Sequence, residues 1–158
     1  MKIRWFLAVF ICLPFIIFGQ NPDDFNSVVD FESTLGSLMQ AVVDNNPFAL
    51  PDKFIIVDGA VASRVVVNGD ADQYLGELEL VAGEWIGVES VVRYQCILQL
   101  IGPEFAAAIP ARRSRRANPN EIKLNSRILV VAKATGIREN ADGEFIPVLR
   151  AYYIRSIR

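Results

Sequence analysis

Hydrophobic and polar residues change rhythm once along this chain, near Lys53. Before that point Val28, Phe31, Leu35, Leu38, Met39, Val42 and Val43 recur every three or four positions between Ser27 and Asp44. That spacing gathers them on one stripe of an amphipathic helix. Asn26 or Ser27 is the expected N-cap, and "DNNPFALPD" ends the helix with Pro47 and Pro51. The stripe is expected to pack on whatever follows. The opposite face carries no Lys or Arg, which argues against a helix lying on a membrane surface.

After Lys53 the period becomes two. "KFIIVDGAVASRVVVNGD" places Ile55, Val57, Val61, Val65 and Val67 on one face of a long strand, with Gly59 at a bulge or tight bend. "YLGELELVAG" sets Leu78 and Leu80 against Glu77 and Glu79. In the next strand, Val91 to Ile101, Val92, Tyr94, Cys96, Leu98 and Leu100 oppose Arg93, Gln95 and Gln99. "GPEFAAAIP" predicts a single helical turn. "SRILVVAKAT" is a fourth strand with Ile128, Val130, Ala132 and Ala134 inward. "RENADGEF" is a hairpin turn, and "IPVLRAYYIRSIR" is a fifth strand whose alternation is too irregular to assign an inward face.

Five strands, with the longest connection between the third and fourth, fit a small closed barrel. A long first strand with a glycine in its middle ("FIIVDGAVASRVVV"), a meander, an insert and a final hairpin ("LNSRILVVAKATGI…DGEFIPVLRAYYIRSI") resembles an OB-fold. The resemblance runs from Lys53 to Arg158 and is one of topology, so no functional residue is carried over from it. The expected class is therefore mainly β: a five-stranded OB-like barrel preceded by one amphipathic α-helix. Residues 20–52 supply a polar spacer, that helix and a linker, and residues 53–158 supply the barrel.

Residues 1–19 read differently. "MKIRWFLAVFICLPFIIFGQ" has Lys2 and Arg4, an apolar run from Trp5 to Phe18, and then Gly19. This is the layout of a secretory signal peptide. The run is shorter than the roughly 20 residues that a bilayer span needs. Cleavage is expected after Gly19, and the mature chain is expected in the periplasm or outside the cell. Cys96 is then the one cysteine left, so no intramolecular disulfide is expected. Its apolar strand face makes it a buried filler.

Charge and residue usage narrow the chemistry. The chain of 158 residues has a net charge of -2; without Lys2 and Arg4 it keeps 14 basic against 18 acidic side chains. A mildly acidic domain has no global field to draw it to nucleic acid, so nucleic acid is not an expected partner. There is no histidine, which removes Ser–His and Cys–His nucleophiles and the commonest zinc ligand. No phosphate-cradling glycine motif opens a helix. No catalytic residue, metal or cofactor is expected. Glu77 and Glu79, about 7 Å apart on one strand face, are the only pair suited to acid–base hydrolysis, as in a hydrolase of envelope sugars. Asp70 and Asp72 read as a surface turn.

"ARRSRRANPNEIK" stands out against this background. Arg112, Arg113, Arg115 and Arg116 concentrate positive charge between Pro110 and Pro119, and Lys123 follows just beyond. Those five residues form the candidate ligand-binding set, together with Trp85 as a stacking or interface aromatic. Tyr74, Tyr152 and Tyr153 are further aromatic candidates, while Tyr94 falls on the inward face. The function expected is an exported, non-catalytic binding or assembly module of the cell envelope. Its ligand would be an anionic glycan, a lipid head group or an acidic protein surface. The alternative is a structural module that pairs with a protein through its barrel edge or N-terminal helix, with the arginines merely solvated.

Overall fold

Residues 22–44, 50–112, 118–140 and 142–157 are described by the structure, a computed structural model of the chain. In chain order they form α1 (Pro22–Val28), β1 (Val29–Asp30), α2 (Leu35–Val43), β2 (Phe54–Asn68), β3 (Leu75–Ile86) and β4 (Ser90–Ile101). A 3-10 turn (Pro103–Phe105), β5 (Arg127–Glu139) and β6 (Phe145–Ile157) complete the order. The leader Met1–Gly19 lies outside the described residues, as do Arg113, Arg115 and Arg116. Among the described residues no helix is long and apolar enough to cross a membrane.

The strands close on themselves. β2 pairs antiparallel with β3, and β3 with β4; β4 runs parallel to β6, which pairs antiparallel with β5, and β5 returns to β2. This is the OB-fold order, and the five-stranded barrel expected from the sequence is present. β2 reaches two neighbours because it bends. Ile55–Ala60 pair with β5, and Ala60–Asn68 pair with β3. Gly59 sits at the changeover, where a Cβ would lie 3.0 Å from the carbonyl oxygen of Val81. Any side chain there would press on that carbonyl and require the neighbouring strand to give by a few tenths of an ångström, which glycine avoids.

The period-two reading of β2 fails beyond the bend. A register shift between Val61 and Ser63 inserts one residue into the ladder, and one extra residue sends every later side chain to the other face. Val65 and Val67, expected inward, are 54% and 56% exposed, and Val66 packs against the core instead. β6 holds a similar irregularity. Val131 pairs with Tyr153 but Ala132 pairs with Ala151, so Tyr152 is the extra residue. That bulge is why the alternation in "LRAYYIR" could not be assigned from sequence: Leu149 and Ala151 point inward, and Ile154 rejoins the core after it.

The single helix expected over Ser27–Asp44 is two short ones. Asp30 accepts hydrogen bonds from the backbone N–H of Glu32 and Ser33 and from the Ser33 hydroxyl. These bonds turn the chain and compete with helix continuation. The Ser33 hydroxyl, foremost, holds the Asp30 carboxyl below its usual range. Val29 and Asp30 instead pair parallel with the start of β2. The cap of α2 is Thr34, not Asn26 or Ser27: its side chain accepts from Ser37 N–H while the Ser37 hydroxyl accepts from Thr34 N–H. Leu35, Leu38 and Val42 are buried, whereas Val28, Phe31 and Val43 are exposed.

α2 packs on β4 and β6, and its Leu35 and Leu38 join the barrel core formed by Ile55, Val57, Leu78, Leu80, Leu98, Leu100, Ile128 and Val130. Each such side chain contributes roughly 1.5–3 kcal/mol when fully buried. The connection between β4 and β5 adds Phe105, Ala108, Ile109 and Ile122 to the same core. This insert does the burying that a helix between those strands would otherwise do.

Candidate functional site

The arginine-bearing connection is anchored on both sides. Within its first arm Phe105 and Ile109 are buried, and the Tyr74 hydroxyl donates to the Ile109 carbonyl. Its second arm returns through Ile122, whose N–H donates to the Ala108 carbonyl at 2.9 Å. The Asn118 side-chain amide donates to the Ala107 carbonyl at 2.7 Å. Arg64 of β2 holds the second arm as well, donating to the Ile122 carbonyl at 2.6 Å and to Glu121 at 2.8 Å. Arg112 emerges, exposed, from this anchored base. Lys123 is exposed too, and its carbonyl accepts from the Ser126 N–H and hydroxyl in the turn that leads to β5.

β6 pairs with β4 only over Val148–Arg150. Beyond that stretch the insert stands beside β6, and a cleft of about 580 Å³ opens between them. The insert lines it with Phe105, Ala108, Pro119 and Ile122, among others, and β6 with Tyr152, Tyr153 and Arg155. The cleft wall therefore includes residues on both sides of the arginine segment. Of its two acids, Glu121 is held by Arg64; Glu104 makes no ion pair among the described residues.

Trp85 is not part of this cleft. Leu75 pairs with Ile101 at the insert end of the β3–β4 hairpin, and Ile86 pairs with Ser90 at the other. Trp85 is 69% exposed at that far tip, with Ile86, Val88 and Val91 also exposed beside it. Tyr74, a candidate aromatic by sequence, is buried against the insert, and burial pushes its hydroxyl above the usual range. Tyr94 packs against the core as expected, with its hydroxyl donating to Glu84 at 3.1 Å.

The outward face of β3 and β4 is an internal ion-pair lattice. Arg138 grips Glu77 with both guanidinium nitrogens, at 2.9 and 3.0 Å. Arg93 takes Glu79 at 3.0 Å, Gln99 donates to Glu77, and Gln95 donates to Glu144. Arg138, above all, holds the Glu77 carboxyl below its ordinary value, and Glu77 raises Arg138 in return. A general acid needs the opposite shift. Cys96 is fully buried, and burial pushes its thiol up to about 12.

Sequence periodicity gave no sign of one cluster. On the outer face of β2, β5 and β6, the Lys133 ammonium lies 4.5 Å from the Phe54 ring centroid, and the Arg150 guanidinium lies 5.4 Å from that of Tyr152. The two rings meet edge to face at 4.9 Å. Phe54, Lys133 and Arg150 are far apart in sequence and meet only through strand register.

No protein-family model matches the chain, and no curated protein matches it. Among solved structures, the chain is similar over 68% of its length to a small single-stranded DNA-binding protein from Streptomyces coelicolor, covering 96% of that protein at 12% identity and a TM-score of 0.46. It is similar over 66% of its length to the protein PriB from Ralstonia solanacearum, covering 97% of it at 9% identity and a TM-score of 0.42. It is also similar over 89% of its length to a protein from Klebsiella pneumoniae described as a putative nucleic acid-binding lipoprotein. All of that protein is covered, at 14% identity and a TM-score of 0.49. No ligand or functional residue is transferred from these likenesses.

Proposed function

We propose that the protein is an exported, non-catalytic binding module that holds an anionic ligand where the insert meets β6. Arg112, Arg113, Arg115 and Arg116 are its contact loop, supported by Lys123. The observation that carries this reading is the cleft: residues flanking the arginine segment on both sides form one wall, and Arg155 with two tyrosines forms the other. The leader sequence supports export. Against a hydrolase acting through Glu77 and Glu79, Glu77 is committed to Arg138 and held in its ionised form.

The test is binding of heparin, single-stranded DNA and anionic vesicles across a salt series, by the chain and by its variant with Arg112, Arg113, Arg115 and Arg116 changed to Ala. About four neutralised charges give a log–log salt slope near -3. The variant is expected to lose both slope and affinity; equal behaviour of the two proteins rejects the loop as the site.

A second reading has its own observation. The exposed apolar tip of Trp85, Ile86, Val88 and Val91, and the exposed stacked pair Phe25–Phe31 at 6.1 Å, suit contact with a protein partner. Loss of a co-purifying partner on changing Trp85 and Val88 to Asp, with arginine-dependent polyanion binding absent, favours it.

A further inference from the structure

Lys133 and Arg150 stand directly opposite each other across the antiparallel ladder of β5 and β6. Both face outward, because their neighbours Ala132, Leu149 and Ala151 are buried in the barrel. Like charges in that arrangement destabilise a sheet. Elsewhere this protein neutralises arginine internally: Arg64, Arg93, Arg127 and Arg138 each hold a carboxylate. Among the described residues no carboxylate pairs with Lys133 or Arg150. Their partners are the rings of Phe54 and Tyr152, and a ring face attracts a cation without cancelling its charge. The quartet thus fixes two uncompensated cations side by side on an acidic protein.

The row continues along β6. The bulge at Tyr152 leaves Tyr152 and Tyr153 both about half exposed, at 48% and 52%, and exposed Arg155 lies two residues beyond them in the cleft wall. Cation, ring, ring, cation is a pattern suited to a ligand that alternates anionic groups with an amphipathic body. We propose that this row binds a sulfated or carboxylated polysaccharide. Lys133 and Arg150 together take one anionic substituent, the apolar face of a sugar ring lies on the exposed tyrosines, and Arg155 takes the next substituent at the cleft. The row shares Tyr152, Tyr153 and Arg155 with the cleft proposed above, but its own anchors are Lys133 and Arg150 and it does not require Arg112–Arg116.

Heparin is the polyanion used in the test, with neutral dextran and a single-stranded DNA of matched charge as comparisons. Two variants of the full chain, K133E and the pair K133Q with R150Q, are measured beside the four-arginine variant above. K133E replaces a like-charge pair with an ion pair, so its thermal midpoint is expected to rise or hold while heparin binding weakens by roughly tenfold or more. K133Q with R150Q gives the same weakening without a new charge. Dextran is expected not to bind, and the DNA to bind more weakly than heparin. Unchanged heparin affinity in folded K133E or in the double variant overturns the proposal, as does equal binding of dextran. Tighter binding of the DNA overturns the glycan class. Heparin binding lost in the four-arginine variant but kept in K133E leaves the loop as the site and this row without one.

Discussion

Arg138 and Glu77 form a two-point ion pair between β5 and β3, with both guanidinium nitrogens on the two carboxylate oxygens. A third donor, Gln99, completes the carboxylate. The arrangement ties the final hairpin to the meander by side chains, beside the short β4–β6 ladder that joins them through the backbone.

That pair makes stability depend on pH. The Glu77 carboxyl is held down in the folded state, chiefly by Arg138, so its contribution is present above the unfolded value of about 4.3 and disappears as pH falls through the lower folded value. Glu77→Gln is expected to cost under about 1 kcal/mol at pH 7, because Arg138 is substantially solvated. The gap to the parent protein closes in urea titrations below about pH 4; a gap that stays constant with pH rejects the role.

Tyr74→Phe removes the hydroxyl that satisfies the buried Ile109 carbonyl. The expected cost is about 1–3 kcal/mol, the penalty for an unpaired buried acceptor, read from the denaturant midpoint. A neutral substitution means that water replaces the hydroxyl and that the insert does not depend on it.

Thr34→Ala deletes one half of the reciprocal cap of α2 and is expected to cost about 1 kcal/mol. Leu38→Ala, which empties a fully buried position in the same helix, is expected to cost about 2–5 kcal/mol. If both leave the barrel's melting unchanged, α2 is an appendage and not part of its cooperative unit.

Cys96 is expected to resist alkylation in the native protein at pH 8 and to react only after unfolding, since its thiol is buried and its pKa raised to about 12. Peptide mapping by mass spectrometry after timed labelling checks this. Rapid native labelling at Cys96 shows that β4 opens locally.

How far the sequence was readable follows from which interactions are local. Ile128, Val130 and Ala132 alternate without interruption, and all three are fully buried; Cys96, Leu98 and Leu100 behave likewise. The OB order was legible because strand lengths and connection lengths alone restrict it. The helix break at Asp30 was not, because a side chain of helix-compatible spacing chose to bond Ser33. Val65 and Val67 misled for a different reason: a bulge leaves the residue types unchanged while reversing their direction. Of the candidate site, Trp85 and Arg112 are exposed, while Trp85 lies at the opposite end of its hairpin from the arginine segment. The pairing of Lys133 with Arg150 could not be read at all, since it depends on the register of two strands and on a bulge between them.

The hydrogen bond that joins Ile122 to Ala108 has a consequence for how such a barrel diversifies. It joins the two arms at the root of the loop, below the residues that carry the arginines. Doubling the length of a closed loop costs only about 0.6 kcal/mol. Residues 112–117, between this bond's arms and short of the Asn118 anchor, are therefore the stretch expected to accept foreign sequence, as in a display library, with the fold serving as a fixed handle. New specificities can be selected there without repacking one core side chain.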